Sequence, residues 1–225
     1  LIPEAGQLCA TLFIELTEIL RCPAGHDESY VVCVPVEMDG RRVIRGGIGC
    51  PVCHAEYAIV DGIAHFGSLG NTPRSSLPGP SYDAAALQAF LDLEGRGGYA
   101  LLVGAAARLG PEVSALVPGV RFFSVNPPDV VRPSEAFSVL RSPRALPVKT
   151  GSVRAVVLGA DHAAEPWLTE AVRVLLKGLR LVVGSSPVAT VRVLASDLLE
   201  LDTPSGLPGK SAVIGVDTYG NRATL

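Results

Sequence analysis

The sequence predicts an α/β protein in two parts, a small cysteine-bearing ribbon followed by a mostly parallel, doubly wound sheet. Three observations predict it. Two short cysteine/histidine turns flank a run that alternates as a hairpin does. A Gly-, Pro- and Ser-rich stretch, residues 67–81, then interrupts the pattern. Beyond it, short apolar strands alternate with helical patterns, which is how a parallel sheet covered on both faces is written.

The bulk numbers agree. Of 225 residues, 48% are hydrophobic, enough to bury a sizeable core. The net charge of -3 carries no basic excess, so nucleic acid is not indicated as a partner. Arg21, Arg41, Arg42 and Arg45 gather in the ribbon, where they read as a solvated hairpin face. The chain starts at Leu1 and its one methionine is Met38, so the native N-terminus is expected upstream. Glu15 and Glu18 break the apolar run LCATLFIELTEIL, which argues against a signal core or a membrane span. Five cysteines, three of them at metal-type spacing, point to a reducing, cytoplasmic setting.

The elements follow in order. Leu8, Leu12, Leu16, Ile19 and Leu20 share one helical face and predict a helix running into Cys22-Pro23. Tyr30 to Val36 and Arg42 to Ile48 predict the hairpin, turning at Met38-Asp39-Gly40. Tyr57 to Val60 is a short strand closed by Asp61-Gly62. Residues 1–66 form the first unit, 67–81 a linker and 82–225 the second unit. In the second unit, Tyr82, Ala86, Ala89, Phe90 and Leu93 predict one helix face. Strands are expected at Tyr99 to Val103, Arg121 to Val125, Val153 to Leu158, Leu181 to Val183 and Ala212 to Val216. Pro166 is expected to open a helix with Trp167, Leu168, Ala171, Val172, Leu175 and Leu176 inward, stopped by Gly178. A further helix is expected over Val191 to Leu201.

The ribbon carries the clearest chemistry. Zn²⁺ takes four Cys or His ligands in a tetrahedron, and tight turns deliver them in pairs. Cys50-Pro-Val-Cys53 is one pair and Cys22-Pro-Ala-Gly-His26 the other, with a hairpin between. Four filled positions leave no site for water, so the zinc is expected to be structural. Cys33, in mid-strand, and His54, directly after Cys53, are the competing ligands, and Cys9 is expected in the core.

Leu20-Arg21-Cys22-Pro23, then Cys50-Pro51-Val52-Cys53, then Tyr57 through Phe66 resembles the small zinc-ribbon activator subunits of tRNA, rRNA and protein methyltransferases. Their pattern is leucine-x-cysteine-proline, a CxxC, then tyrosine, an apolar run and aspartate-glycine-isoleucine-proline. The likeness covers residues 8–66. It departs at His26, where the family has cysteine, and at Ala64, where it has proline.

The order of elements in 82–225, with Leu146 to Leu158 and Glu170 to Val182, resembles a degenerate class I S-adenosylmethionine-dependent methyltransferase. The resemblance implies a Rossmann-like fold with cofactor at the carboxyl ends of the strands. It puts Gly104, Ala106 and Asn126 at cofactor positions. Yet the first turn, Gly104-Ala105-Ala106-Ala107-Arg108-Leu109-Gly110, holds alanines where the family has an acid and further glycines. The second strand ends in Asn126 rather than an acid, which keeps one acceptor oxygen and no charge. Thr150-Gly151-Ser152 has lost its acid too. S-adenosylmethionine is therefore a doubtful cofactor. Asp161 and His162 follow the third strand, where a histidine could serve as base. No nucleophile elbow or phosphate loop is present. The expected function is a non-catalytic accessory or scaffold subunit that binds a protein partner. The alternative is an active methyltransferase with a divergent pocket.

Overall fold

The computed structural model describes residues 11–69, 74–184, 189–195, 198–202 and 213–215. The ribbon forms first along the chain. Strands β2 (Val32–Asp39) and β3 (Arg42–Gly49) pair antiparallel. Gly40 makes their turn at φ 56, a left-handed conformation that glycine enters without a Cβ penalty. Strand β4 (Glu56–Val60) adds to β3. Asp61 and Gly62, both at positive φ, then reverse the chain into β5 (Ile63–His65), as a two-residue hairpin loop requires.

The expected N-terminal helix is not α-helical. Leu12–Phe13 is a strand, β1, paired with β3, and Ile14–Ile19 winds as 3₁₀ turns. Leu12, Leu16 and Leu20 are buried, so the apolar spacing is used, while Leu8 and Cys9 lie outside the described residues. The stretch is rich in Phe, Ile and Thr, whose side chains favour extended backbone. Leu20 must also leave the turn extended to bridge Val148.

The second unit is Rossmann-like. Strands β6 (Tyr99–Val103), β7 (Arg121–Val125), β8 (Phe137–Arg141), β9 (Val153–Leu158) and β10 (Leu175–Val183) run parallel in the order β8-β7-β6-β9-β10. That is the doubly wound order, with its switch point between β6 and β9. Alternate residues serve two cores. Leu101, Val103, Val156 and Leu158 join Ala171 and Val174 of α3 (Trp167–Val174). Ala100, Leu102, Ala155 and Val157 join Leu87 and Leu91 of α1 (Ala84–Leu91) and Val113 of α2 (Gly110–Leu116). Burial on both faces is why these strands read as continuous apolar runs. The ribbon docks along the same sheet, because β5 pairs parallel with β8 at Ile63↔Val139, Ala64↔Leu140 and His65↔Arg141.

Several expectations are corrected. The buried face of α1 is Ala84, Leu87 and Leu91, with Ala89 exposed. Asp83 caps the helix at the Ala86 N–H, and the leucines turn inward because they remove more apolar surface than alanines do. Helix α3 ends at Val174, not at Gly178. Leu175 leaves it extended to pair with Val153, and Leu176 is exposed. Gly178, at φ 80, sits in β10 where the register slips between Leu175 and Arg180, the mark of a bulge rather than a helix stop. Val191 to Leu201 is not a helix but two antiparallel strands, β11 (Ala189–Ala195) and β12 (Leu198–Asp202). Thr190, Val191 and Val193 are β-branched and favour the pleated strand. Strand β13 (Val213–Gly215) lies within the expected 212–216, whose end residues are outside the described set. Strand β8 and helix α2 were not expected. Among the described residues no helix is long and apolar enough to cross a membrane.

Candidate metal centre and cofactor cleft

The two knuckles meet. Cys22, His26, Cys50 and Cys53 place their donor atoms within 4.8 Å of one another. Each knuckle is built by its backbone. Cys22 N–H donates to the Ser29 carbonyl (3.2 Å), beside the Arg21↔Tyr30 bridge, which closes the first loop. Cys50 N–H donates to the Ala55 carbonyl (2.9 Å) and His54 N–H to the Cys50 carbonyl (3.0 Å), with His54 at φ 58. The Sγ atoms of Cys22 and Cys53 lie 3.7 Å apart, and Cys50 Sγ lies 3.4 Å from His26 Nε2. A tetrahedron with Zn–S of about 2.3 Å and Zn–N of about 2.0 Å has edges of roughly 3.8 and 3.5 Å. The donor set therefore fits zinc in geometry as well as in chemistry. His26 Nδ1 lies 2.7 Å from the Asp27 carbonyl, which turns Nε2 toward the sulfurs. Burial pushes the Cys50 thiol up, but the N–H groups of Cys53 and Val52 and the neighbouring sulfurs bring it down to about 6. Thiolate, the metal-binding form, is thus accessible near neutral pH. Cys33, half-buried opposite Ile48, and His54 are not in the four-donor cluster.

At the carboxyl ends of β6 and β9, Asp161 lies against the turn that follows β6. Gly104 follows β6 at φ 62, and Ala105, Ala106 and Ala107 are buried behind it. Asp161 Oδ1 accepts a hydrogen bond from Ala105 N–H at 3.1 Å. A Cβ on Gly104 would fall 2.3 Å from His162 Nδ1 and 2.5 Å from both Asp161 carboxylate oxygens. The glycine is thus required by this chain's own carboxylate. Burial pushes the Asp161 carboxyl up, but His162, the Ser75 hydroxyl and the Ala105 N–H outweigh it and hold it at about 2. His162 is buried, its Nδ1 3.0 Å from Asp161 Oδ2 and its ring edge-on to Trp167.

Residues 74–82 strap the opening. Leu77, Pro80 and Tyr82 face Ala105, Ala106 and Gly184 across a cavity of about 260 Å³. That is below the range of roughly 300–1,000 Å³ typical of ligand pockets. Arg108 holds the strap through the Leu77 carbonyl (3.3 Å) and packs against Gly79. Asn126, expected at a cofactor position, is fully buried at φ 54, with its amide committed twice. Its Nδ2 donates to the Ser142 carbonyl (2.7 Å), and its Oδ1 accepts from Ser142 N–H (2.9 Å). Thr150 gives both its N–H and its hydroxyl to Glu28 of the ribbon. Ser75, the strap and Glu28 carry no local signal in the sequence, because they act only across the tertiary fold.

No protein-family model matches the chain, and no curated protein matches it. Some solved structures do. A candidate methyltransferase from Bacillus halodurans is 20% identical, with a TM-score of 0.36 over 45% of this chain and 49% of its own. The complex between the Haloferax volcanii Trm112 methyltransferase activator and a candidate methyltransferase gives 18% identity and a TM-score of 0.36, covering 44% of this chain and 50% of that one. A geranyl diphosphate methyltransferase bound to GPP and sinefungin gives 15% and 0.38, covering 44% and 42%. The chain thus spans about half the length of the structures it matches. Its Rossmann-like character rests on its own strand order. Strand order and donor cluster together define its class: a Rossmann-like sheet carrying a ribbon with four Cys/His donors that could hold a metal.

Proposed function

We propose that this chain is a non-catalytic, methyltransferase-like accessory or scaffold protein with a structural zinc ribbon, acting through contacts with a protein partner in the cytoplasm. The observation that carries this reading is the Asp161 carboxylate seated on the Gly104–Ala105 turn, where a cofactor would need the backbone. The committed amide of Asn126 and the small strapped cavity support it. We take residues 1–66 as an activator-like ribbon and 82–225 as the degenerate methyltransferase-like unit. Pairing of β5 with β8 then joins the two in cis.

The second reading, an active methyltransferase, is favoured by one feature. His162 stays at the carboxyl end of β9, next to Ala160 and Gly159 of the cavity wall. Calorimetric titration of S-adenosylmethionine into the zinc-loaded protein separates the two. No heat of binding up to millimolar cofactor is expected. Micromolar binding would overturn the non-catalytic reading.

A further inference from the structure

The loop that carries Cys22 and His26 also carries, on its two flanks, the residues that fasten the ribbon to the sheet. Arg21 precedes Cys22, and Glu28 lies two residues past His26. Glu28 accepts from Thr150 N–H (2.9 Å) and Thr150 Oγ1 (2.7 Å), in the turn that leads into β9. It also lies 3.7 Å from Arg21 and from Arg173. Arg21 stands 3.7 Å from Glu170, and Arg173 forks onto the same carboxylate at 2.8 Å through both Nε and Nη2. The guanidinium of Arg173 further donates to the carbonyls of Val148 and Leu146. Four charges, two from the loop and two from α3, thus form one closed knot. All but Glu28 are more than four-fifths buried in their side chains.

Such a knot depends on where its members are held. Besides Glu28 on Thr150, the loop from Arg21 to Tyr30 is held by the Arg21↔Tyr30 bridge, the Cys22–Ser29 and His26–Ala24 hydrogen bonds and the Arg21 N–H on the Pro147 carbonyl (3.1 Å), and residues 23–28 are exposed or half-buried. Arg21 is seated by its own backbone on Pro147, whereas a metal tying His26 to the second knuckle would hold the far side of the loop, and with it Glu28. Without the metal, Arg21 and Arg173, the partners of Glu28, keep their charges in a partly desolvated place with one neighbour fewer, which is unfavourable.

We infer that zinc occupancy of the ribbon is thermodynamically coupled to the stability of the Rossmann-like unit through Arg21, Glu28, Thr150, Glu170 and Arg173. This inference rests on the metal centre of the proposed function. Coupling of this kind is reciprocal. Zinc stabilises the knot, and the knot tightens zinc by the same factor. A substitution on the sheet side, far from the metal, should therefore weaken zinc binding.

The experiment uses the full chain and its one tryptophan, Trp167 at the start of α3, as reporter of the Rossmann-like unit. Native mass spectrometry first counts zinc. Chelation should then lower the Trp167 thermal transition by about 2–4 °C, the shift expected from one lost interaction of about 1 kcal/mol in a chain of this size. Competition with a chromophoric chelator should show zinc held several-fold more weakly in Thr150→Ala and in Arg173→Met. Thr150→Ala keeps every charge, so it guards against an Arg173 variant that fails to fold. A Trp167 transition indifferent to chelation, with zinc affinity within twofold of the parent in Thr150→Ala, would overturn the coupling while leaving the metal centre standing. A parent protein that binds no zinc would overturn the centre itself.

Discussion

Replacing Asp161 with asparagine tests whether the carboxylate closes the cleft. The folded environment takes its carboxyl from the ordinary 3.8 to about 2. A difference of about 1.8 corresponds to at most about 2.5 kcal/mol of stabilisation of the ionised form. Because folding lowers this pKa, the stabilisation is complete above about pH 4 and is lost as pH falls through about 2. Asp161→Asn should thus cost on the order of 2 kcal/mol at pH 7. With a urea slope of about 2 kcal/mol per molar, that moves the midpoint down by roughly 1 M. The cost should shrink between pH 4 and pH 2. Trp167 fluorescence reads the transition, since its ring packs against His162. Protonation of the zinc ligands at low pH affects both proteins, so the difference between them isolates Asp161. A midpoint unchanged at pH 7, or a gap that stays constant down to pH 2.5, would refute the reasoning.

Two other substitutions discriminate further. Asn126→Asp removes the donor to the Ser142 carbonyl and sets acceptor against acceptor in a fully buried place. A loss of roughly 2–4 kcal/mol is expected in thermal or urea unfolding, with no gain of S-adenosylmethionine binding. An unchanged stability together with new cofactor binding would restore the catalytic reading. Cys53→Ser and His26→Ala should each lose zinc in native mass spectrometry, while Cys33→Ser and His54→Ala should keep it. Zinc retained in His26→Ala would remove that histidine from the ligand set.

Ligand types at fixed spacing were legible from the sequence. The knuckles are local turns, so residues three and four apart set the candidate metal site, and the four donors meet as the spacing implies. The five parallel strands were mostly legible too, because double-sided burial writes an apolar run into the chain. Strand β8 was not, since it follows a proline-rich loop with no helical pattern to set it off. The region from Val191 to Leu201 failed for a different reason. Its apolar residues satisfy a 3.6 period and a 2 period alike, and β-ladder pairing decided between them.

What the sequence by itself determined is therefore the donor set of the candidate metal site and the alternation of strand and helix. Both follow from side-chain type and near-neighbour spacing. Only the tertiary structure decided the state of the cleft. Asp161 meets Ala105 across 56 residues, Asn126 meets Ser142 across 16, and Glu28 meets Thr150 across 122. Asp161, expected only to follow the third strand beside His162, lies against the turn after β6, and the end of the proline-rich stretch expected as a linker lines the cavity there. No local rule specifies that, because the backbone groups they satisfy are brought within reach only when the sheet closes.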